Sequence, residues 1–155
     1  MAKYNNLITI TLVIFLGCLI QSALYFAESR ETPTKAVLEF SKAYFQLDPS
    51  MSERLCEERK TVDDVDVVTE YLQTAAKEAS QRGFGLSYIK NKLYNIGIFV
   101  ISQDNDQAEI RLVGDRKPWL RSLFTGETYK VDETINVIKE DGKWKVCGDK
   151  LFSLP

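Results

Sequence analysis

The sequence predicts an α+β protein in which an N-terminal transmembrane helix precedes helices packed on a curved antiparallel sheet. Three observations predict this class. An uncharged apolar run occupies residues 7–26, apolar residues then recur at helical spacing up to about residue 82, and from residue 94 they alternate with polar residues. Helices first and antiparallel strands afterwards are typical of an α+β fold.

Composition narrows the function classes before any motif is considered. The chain has 155 residues, with 20 basic and 22 acidic side chains and a net charge of -2, so its charge gives no reason to expect a nucleic-acid partner. It contains no histidine, which excludes histidine triads and nearly every catalytic zinc site. Because the sequence also lacks a phosphate loop, a calcium loop and a nucleophile elbow, we expect no metal and no cofactor.

The apolar run near the N-terminus has the length of a membrane span. Residues 7–26 carry no charge, and their helix would be about 30 Å long, the thickness of the hydrocarbon core of a bilayer. Lys3 precedes the run and Glu28 follows it, so the positive-inside rule puts the N-terminus in the cytoplasm. The sequence therefore predicts a single-pass protein of the bacterial inner membrane with its C-terminal domain in the periplasm. The predicted segments are a cytoplasmic N-terminus (1–6), a transmembrane signal anchor (7–27) in contact with the lipid bilayer, a short linker (28–31) and an exported α+β domain (32–155).

Two alternatives are open for this segment. A cleavable signal peptide normally ends in a small-x-small site, which residues 22–24 and 27–29 fit poorly. Lipoprotein processing is suggested by Gly17 before Cys18, although the apolar run continues after the cysteine. We favour a retained helix in which Cys18 is a small apolar residue packed in lipid.

Two further cysteines, Cys56 and Cys147, lie in the predicted exported domain. An oxidising compartment would allow them to form a disulfide that closes a loop of about 90 residues. Two buried free thiols are the alternative, because sequence spacing gives no distance between side chains. The chain has no Cys-x-x-Cys motif, so redox catalysis and thiolate metal sites have no support.

Three helices are expected at the start of this domain. Thr32 and Pro33 are typical of a helix N-cap and first turn, and residues 48–49 end that helix and cap a short second one. A third helix is predicted from Val65 to Arg82, because acidic residues crowd its start and a glycine follows its end. We interpret the acidic cluster as complementing the helix dipole rather than binding a metal. The expected buried positions are Val37, Phe40, Tyr44 and Leu47 in the first helix, Met51 and Leu55 in the second, and Val68, Leu72, Ala75 and Ala79 in the third.

Four strands are expected in the second half of the chain. Residues 104–106 and 140–143 have the composition of turns, so each joins two strands as a hairpin. Strict alternation is the evidence for the strands themselves. The alternating residues are Tyr94, Ile96, Ile98 and Val100, then Ala108, Ile110 and Leu112, then Tyr129, Val131, Ile135 and Val137, and finally Trp144 and Val146.

The chain resembles the nuclear transport factor 2-like superfamily in two segments. These are the first helix, with Ala-Val-Leu-Glu-Phe at 36–40, and the closing hairpin, with Asp-Gly-Lys-Trp-Lys-Val at 141–146. The resemblance covers residues 32–152, and small bacterial membrane-bound or lipoprotein members share the layout. It implies a cone, in which a bent antiparallel sheet wraps around the helices and leaves a pocket at its open end. Some relatives bind small apolar ligands, a few are isomerases or cyclases, and many mediate assembly.

Glu133 is the sharpest candidate for a catalytic group. Alternation from Tyr129 to Val137 puts it on the apolar side of its strand, where a carboxylate could act as a base or bind a ligand. The alternative, which we favour, is a β-bulge at residues 132–133 that turns the side chain to solvent. Phenol donors could be added to a pocket by Tyr44, Tyr71 and Tyr94, but core tyrosines with satisfied hydroxyls explain these residues equally well.

A second candidate is the segment 116–124, in which basic and aromatic residues interleave. This mixture suits a membrane surface or a protein partner. The alternative is that the aromatic residues close the open end of the cone. The candidate binding residues are Arg116, Lys117, Trp119, Arg121 and Phe124.

Together these observations predict a membrane-tethered, extracytoplasmic interaction or ligand-binding module of unknown specificity. Its expected partners are another envelope protein or a small apolar ligand. The alternative is a small-molecule enzyme of the isomerase or cyclase type with Glu133 as its base. The lack of histidine and of a paired catalytic motif favours the first hypothesis.

Overall fold

The computed structural model describes residues 2–28, 30–118 and 126–148, and within its first helix it describes the side chains of residues 9–22. The chain divides into two compact units, Met1–Arg30 and Glu31–Pro155. The first unit is helical, and the second contains both helices and strands.

The first unit contains helix α1 over Ala2–Glu28. Within the described part of the chain, no helix is both long and apolar enough to cross a membrane. The prediction of a transmembrane anchor over residues 7–27 was therefore wrong, as was the prediction of a single-pass inner-membrane protein with a periplasmic domain. The predicted contact with a lipid bilayer depended on that span.

The second unit begins with a capped helix, as the sequence predicts. Helix α2 runs over Pro33–Phe45, and Thr32 caps it by accepting a hydrogen bond of 3.2 Å from the backbone N–H of Lys35. Asp48 then caps a 3₁₀ helix over Pro49–Arg54 by accepting a bond of 2.9 Å from the backbone of Ser50. The apolar positions expected in both segments are buried.

The middle of the chain differs from the predicted single helix. A short helix, α3 (Glu57–Lys60), leads into a hairpin of β1 (Thr61–Val62) and β2 (Val65–Asp66), and helix α4 follows over Val67–Gln81. The helix starts later than predicted because Asp63 and Asp64 adopt positive φ angles of 51° and 62°, which turn the chain back on itself. Asp66 caps α4 by accepting a 2.6 Å bond from the backbone of Thr69. The acidic cluster is therefore used as a turn and a helix cap.

The main sheet is antiparallel, with strand order β3-β4-β5-β6. Its strands are β3 (Asn91–Gln103), β4 (Gln107–Pro118), β5 (Tyr129–Glu140) and β6 (Lys143–Val146). Helix α2 packs on one face, where its apolar stripe meets the inward residues of β4 and β5. The prediction of helices packed on a curved antiparallel sheet is confirmed for this unit.

One extra residue in β3 changes which side chains face the core. The register shifts between Tyr94 and Gly97, where Asn95 has a φ of 50°, so two residues of β3 oppose one of β4. Ile96 packs against the core, whereas Tyr94 is 44% exposed on the other face. A side chain at Gly114 would lie only 3.2 Å from the carbonyl of Tyr94, which explains the glycine opposite the bulge. The predicted alternation from Tyr94 to Ile96 was therefore wrong at its first residue.

A disulfide joins the residue that precedes α3 to the residue that follows β6. Cys56 and Cys147 are bonded, with their Cα atoms 5.4 Å apart. The backbone N–H of Cys56 also donates a 2.9 Å hydrogen bond to the carbonyl of Val146. The predicted bridge is confirmed, and the alternative of two free thiols was wrong.

Candidate functional site

A pocket of about 380 Å³ opens in the second unit where β4 ends and β5 begins. Its walls come from the end of α2, one face of α4, the 3₁₀ helix Leu86–Tyr88 and the adjoining ends of three strands. We call this cavity the tyrosine pocket. It is lined by Tyr44, Phe45, Leu47, Tyr71, Thr74, Ala75, Glu78, Arg82, Tyr88, Ile89, Asn91, Arg116, Pro118 and Tyr129.

One wall of the tyrosine pocket is a stack of aromatic rings. The rings of Tyr44 and Tyr71 lie 4.8 Å apart at an interplanar angle of 12°, and Phe45 meets Tyr44 edge-on at 5.1 Å. Burial raises the pKa of Tyr71, while its hydrogen bond with Tyr44 and the positive charge of Arg116 oppose that shift. Tyr71 therefore stays protonated at neutral pH and offers a neutral phenol to the pocket.

Arg116 gives the pocket a positive charge. Its guanidinium carbon lies 5.0 Å from the ring centroid of Tyr129 and 6.0 Å from that of Phe45, within the range of cation–π contact. The Nε atom is buried, and among the described residues it has no hydrogen-bond acceptor. The other two charged residues of the lining, Glu78 and Arg82, form an ion pair at 2.5 Å. The net charge of the described lining is therefore that of Arg116.

The pairing of β4 explains why Arg116 points towards the helices. Its neighbour Asp115 faces the opposite side of the sheet, where Lys130 Nζ lies 2.6 Å away and Asn95 donates a 2.7 Å hydrogen bond. These two contacts, with Lys130 first, lower the pKa of Asp115 and keep it ionised on that face. Because successive side chains of a strand point to opposite faces, fixing Asp115 outside directs Arg116 inside.

A second cavity, of about 420 Å³, lies around Arg54. Here the guanidinium is already paired with Glu31 at 2.8 Å and with Glu39 at 2.6 Å. The hydrogen bond from Arg54 is the main reason why the pKa of Glu31 is lowered. Because these charges satisfy one another, we assign this cluster to the stability of the fold rather than to a ligand.

The structure does not bring Glu133 and Tyr94 together. The register between β4 and β5 is continuous and pairs Glu133 with Leu112, so the bulge that we favoured at residues 132–133 is not formed. Glu133 is half-buried on the core side of β5, and it does not line the tyrosine pocket. Tyr94 is on the opposite face, because of the extra residue in β3.

The basic and aromatic segment divides between two faces of the sheet. Arg116 enters the tyrosine pocket, whereas Lys117 lies over the ring of Tyr94 on the other face, 5.2 Å from its centroid. Trp119, Arg121 and Phe124 lie outside the described residues. The spacing of Tyr88 and Tyr129 did not connect them to a pocket, although Tyr129 begins β5 and Arg116 lies near the end of β4.

Metal-binding chemistry has no site in the described part of the chain. Within residues 2–28, 30–118 and 126–148, no three His, Cys, Asp or Glu side chains are grouped so that they could hold an ion. Glu78 of the tyrosine pocket, and Glu31 and Glu39 of the Arg54 cavity, are engaged with arginines. Chemistry in the tyrosine pocket would thus depend on phenols and one guanidinium.

Comparison with known proteins gives structural likenesses at low sequence identity. No family model and no curated protein matches the chain. It is similar to a SEC-C motif containing protein from Rhodopseudomonas palustris, with a TM-score of 0.45 and 14% identity over 79% of this chain and 82% of that one. It is also similar to a structure described as an NTF2-like transpeptidase from Campylobacter jejuni, with a TM-score of 0.44 and 18% identity over 76% of this chain and 99% of that one.

Proposed function

We propose that the α+β unit is a small-molecule-binding module and that its ligand, which is flat and largely apolar, occupies the tyrosine pocket. The observation that carries this proposal is the aromatic wall formed by Tyr44 and Tyr71 beside an open cavity of about 380 Å³. Small-molecule sites are typically concave, mostly apolar and of this order of size, with a few polar groups that orient the ligand. Phenols and one guanidinium supply those polar groups here.

The geometry supports binding better than it supports catalysis. A base must lie within hydrogen-bond reach of its substrate, and Glu133 is not part of the pocket lining. The carboxylate that is part of the lining, Glu78, is paired with Arg82. The alternative of an isomerase or cyclase with Glu133 as its base therefore gains no support from the tyrosine pocket.

Titration of the full chain with an uncharged two-ring fluorescent probe, 2-naphthamide, tests the proposal. We expect saturable binding that Tyr71→Ala weakens about three- to tenfold, because the variant removes one stacking ring. Tyr94→Ala is the matched control, since Tyr94 is exposed on the other face of the sheet. The proposal fails if the probe and its acid analogue, 2-naphthoate, both fail to bind, or if the two tyrosine variants have equal effects.

A further inference from the structure

We infer that the ligand of the tyrosine pocket carries a carboxylate and that Arg116 binds it. This inference rests on the proposed function and names the chemical class of the ligand. It is carried by the juxtaposition of an unpaired guanidinium nitrogen with an aromatic cavity. The ligand class that fits both features is a flat aromatic acid.

The described contacts of Arg116 leave its buried Nε–H without a hydrogen-bond acceptor. Cation–π contact with Tyr129 and Phe45 uses the faces of the aromatic rings, whereas the five N–H donors of a guanidinium lie in its own plane. The two rings can therefore hold the cation in the pocket wall without an anion. Its planar fork then matches the two oxygens of a carboxylate.

The unpaired state of Arg116 has a free-energy cost that an acid would relieve. A buried donor without an acceptor loses its hydrogen bonds to water and gains none in exchange. A neutral ligand that filled the pocket would deepen this loss by excluding the remaining water. An acidic ligand supplies both the acceptor and the counter-charge, so the pocket should discriminate by charge among ligands of the same shape.

The rest of the lining does not compete for an incoming anion. Glu78 and Arg82 neutralise each other on α4. In the described lining, therefore, no unpaired carboxylate repels an acid, and the charge available to attract it is that of Arg116.

The test compares an acid with its amide, which has nearly the same shape. We expect the full chain to bind 2-naphthoate about tenfold to 100-fold more tightly than 2-naphthamide, the difference that a charge-assisted hydrogen bond makes. In Arg116→Gln this preference should fall to about twofold or less, while the amide still binds. Arg111→Gln is the matched control, because Arg111 is on the same strand but pairs with Asp132 on the other face.

Each outcome of this comparison decides one of the two proposals. Equal binding of acid and amide by the full chain overturns the inference and leaves the binding module standing, whereas binding of neither probe overturns the module itself. Tighter binding of 2-naphthyl phosphate than of 2-naphthoate overturns the assignment to a carboxylate. If circular dichroism shows that Arg116→Gln does not fold, Arg116→Lys decides: a reduced acid preference supports the inference, and an unchanged one contradicts it.

Discussion

Opening the Cys56–Cys147 disulfide should cost this domain a large part of its stability. The bridge joins residues that are 91 positions apart, so it restricts nearly the whole α+β unit in the unfolded state. The chain-entropy relation for a loop of this length gives about 4.6 kcal/mol at 25 °C. For a domain of this size that loss corresponds to a fall of about 18 °C in the melting temperature.

The assay is chemical denaturation of the full chain, with and without a reducing agent. Cys147→Ala and the double variant with Cys56→Ala should both lose about 4–5 kcal/mol of unfolding free energy. The two losses should be nearly equal, because one substitution already opens the loop. Cys18→Ser is the matched control, since Cys18 is a free, exposed cysteine, and it should leave the midpoint unchanged.

Two results would refute this reasoning. One is complete labelling of Cys56 and Cys147 by a thiol reagent in the folded chain without reductant, which would show that the bridge is absent. The other is a loss below about 1 kcal/mol on reduction, which would mean that the cross-link does not restrict the unfolded chain as the entropy model requires.

Three further predictions follow from the arginines of the domain. Arg116→Met should raise the unfolding free energy by about 1 kcal/mol in denaturant titrations of the unliganded chain, because a buried unpaired donor costs more than the lost cation–π contact contributes; a loss would contradict this. Arg116→Gln should raise the pKa of Tyr71 further, since the charge of Arg116 opposes the effect of burial, and NMR of labelled tyrosine rings would measure it. Arg54→Met should destabilise the chain most above the ordinary pKa of a glutamate. Because Arg54 lowers the folded-state pKa of Glu31, that stabilisation is present above the unfolded-state pKa and is lost as the pH falls through the folded one; a wild-type advantage that stays constant from about pH 6 to about pH 2 would refute it.

Local signals in the sequence predicted the local structure well. Thr32 with Pro33 and Asp48 with Pro49 mark helix starts through hydrogen bonds that span only two or three residues. Such signals need no knowledge of the rest of the chain. The hairpin at residues 61–66 escaped prediction because Asp63 and Asp64 are typical of a helix start as well as of a turn with positive φ.

Features that depend on distant parts of the chain were not predictable in the same way. In the sequence, Tyr94 and Ile96 continue the alternation without a break. The extra residue becomes apparent only in the pairing with β4, where two residues between Tyr94 and Gly97 lie opposite the single residue Gly114. Glu133 lies on the face that strict alternation gives, and not on the solvent side that the favoured bulge would have given, because its own strand is regular. Its predicted partner was placed on the wrong face by a bulge in another strand.

The candidate site shows the same limit. Arg116 was a candidate binding residue because it lies in a segment of interleaved basic and aromatic residues. We expected that segment either to form a contact surface or to close the open end of the cone. Its place in a cavity depends on Phe45, Tyr71 and Tyr129, which come from three separate elements. The spacing of these residues along the chain does not indicate that they lie together in space. The sequence therefore identified Arg116 as a candidate but did not predict the cavity around it.

The extra residue at Asn95 has a consequence for how this sheet could change during evolution. Loss of that one codon, with pairing kept from Gly97 onward, would leave Tyr94 opposite Asp115 and Leu93 opposite Arg116, as they are now. Because residues that lie opposite each other in a ladder share a face, the remaining side chains of β3 would all keep their side of the sheet. Chains of this layout could therefore gain or lose one residue at this point while the same residues face the core, and an alignment gap here would mark a straightened strand rather than a remodelled wall.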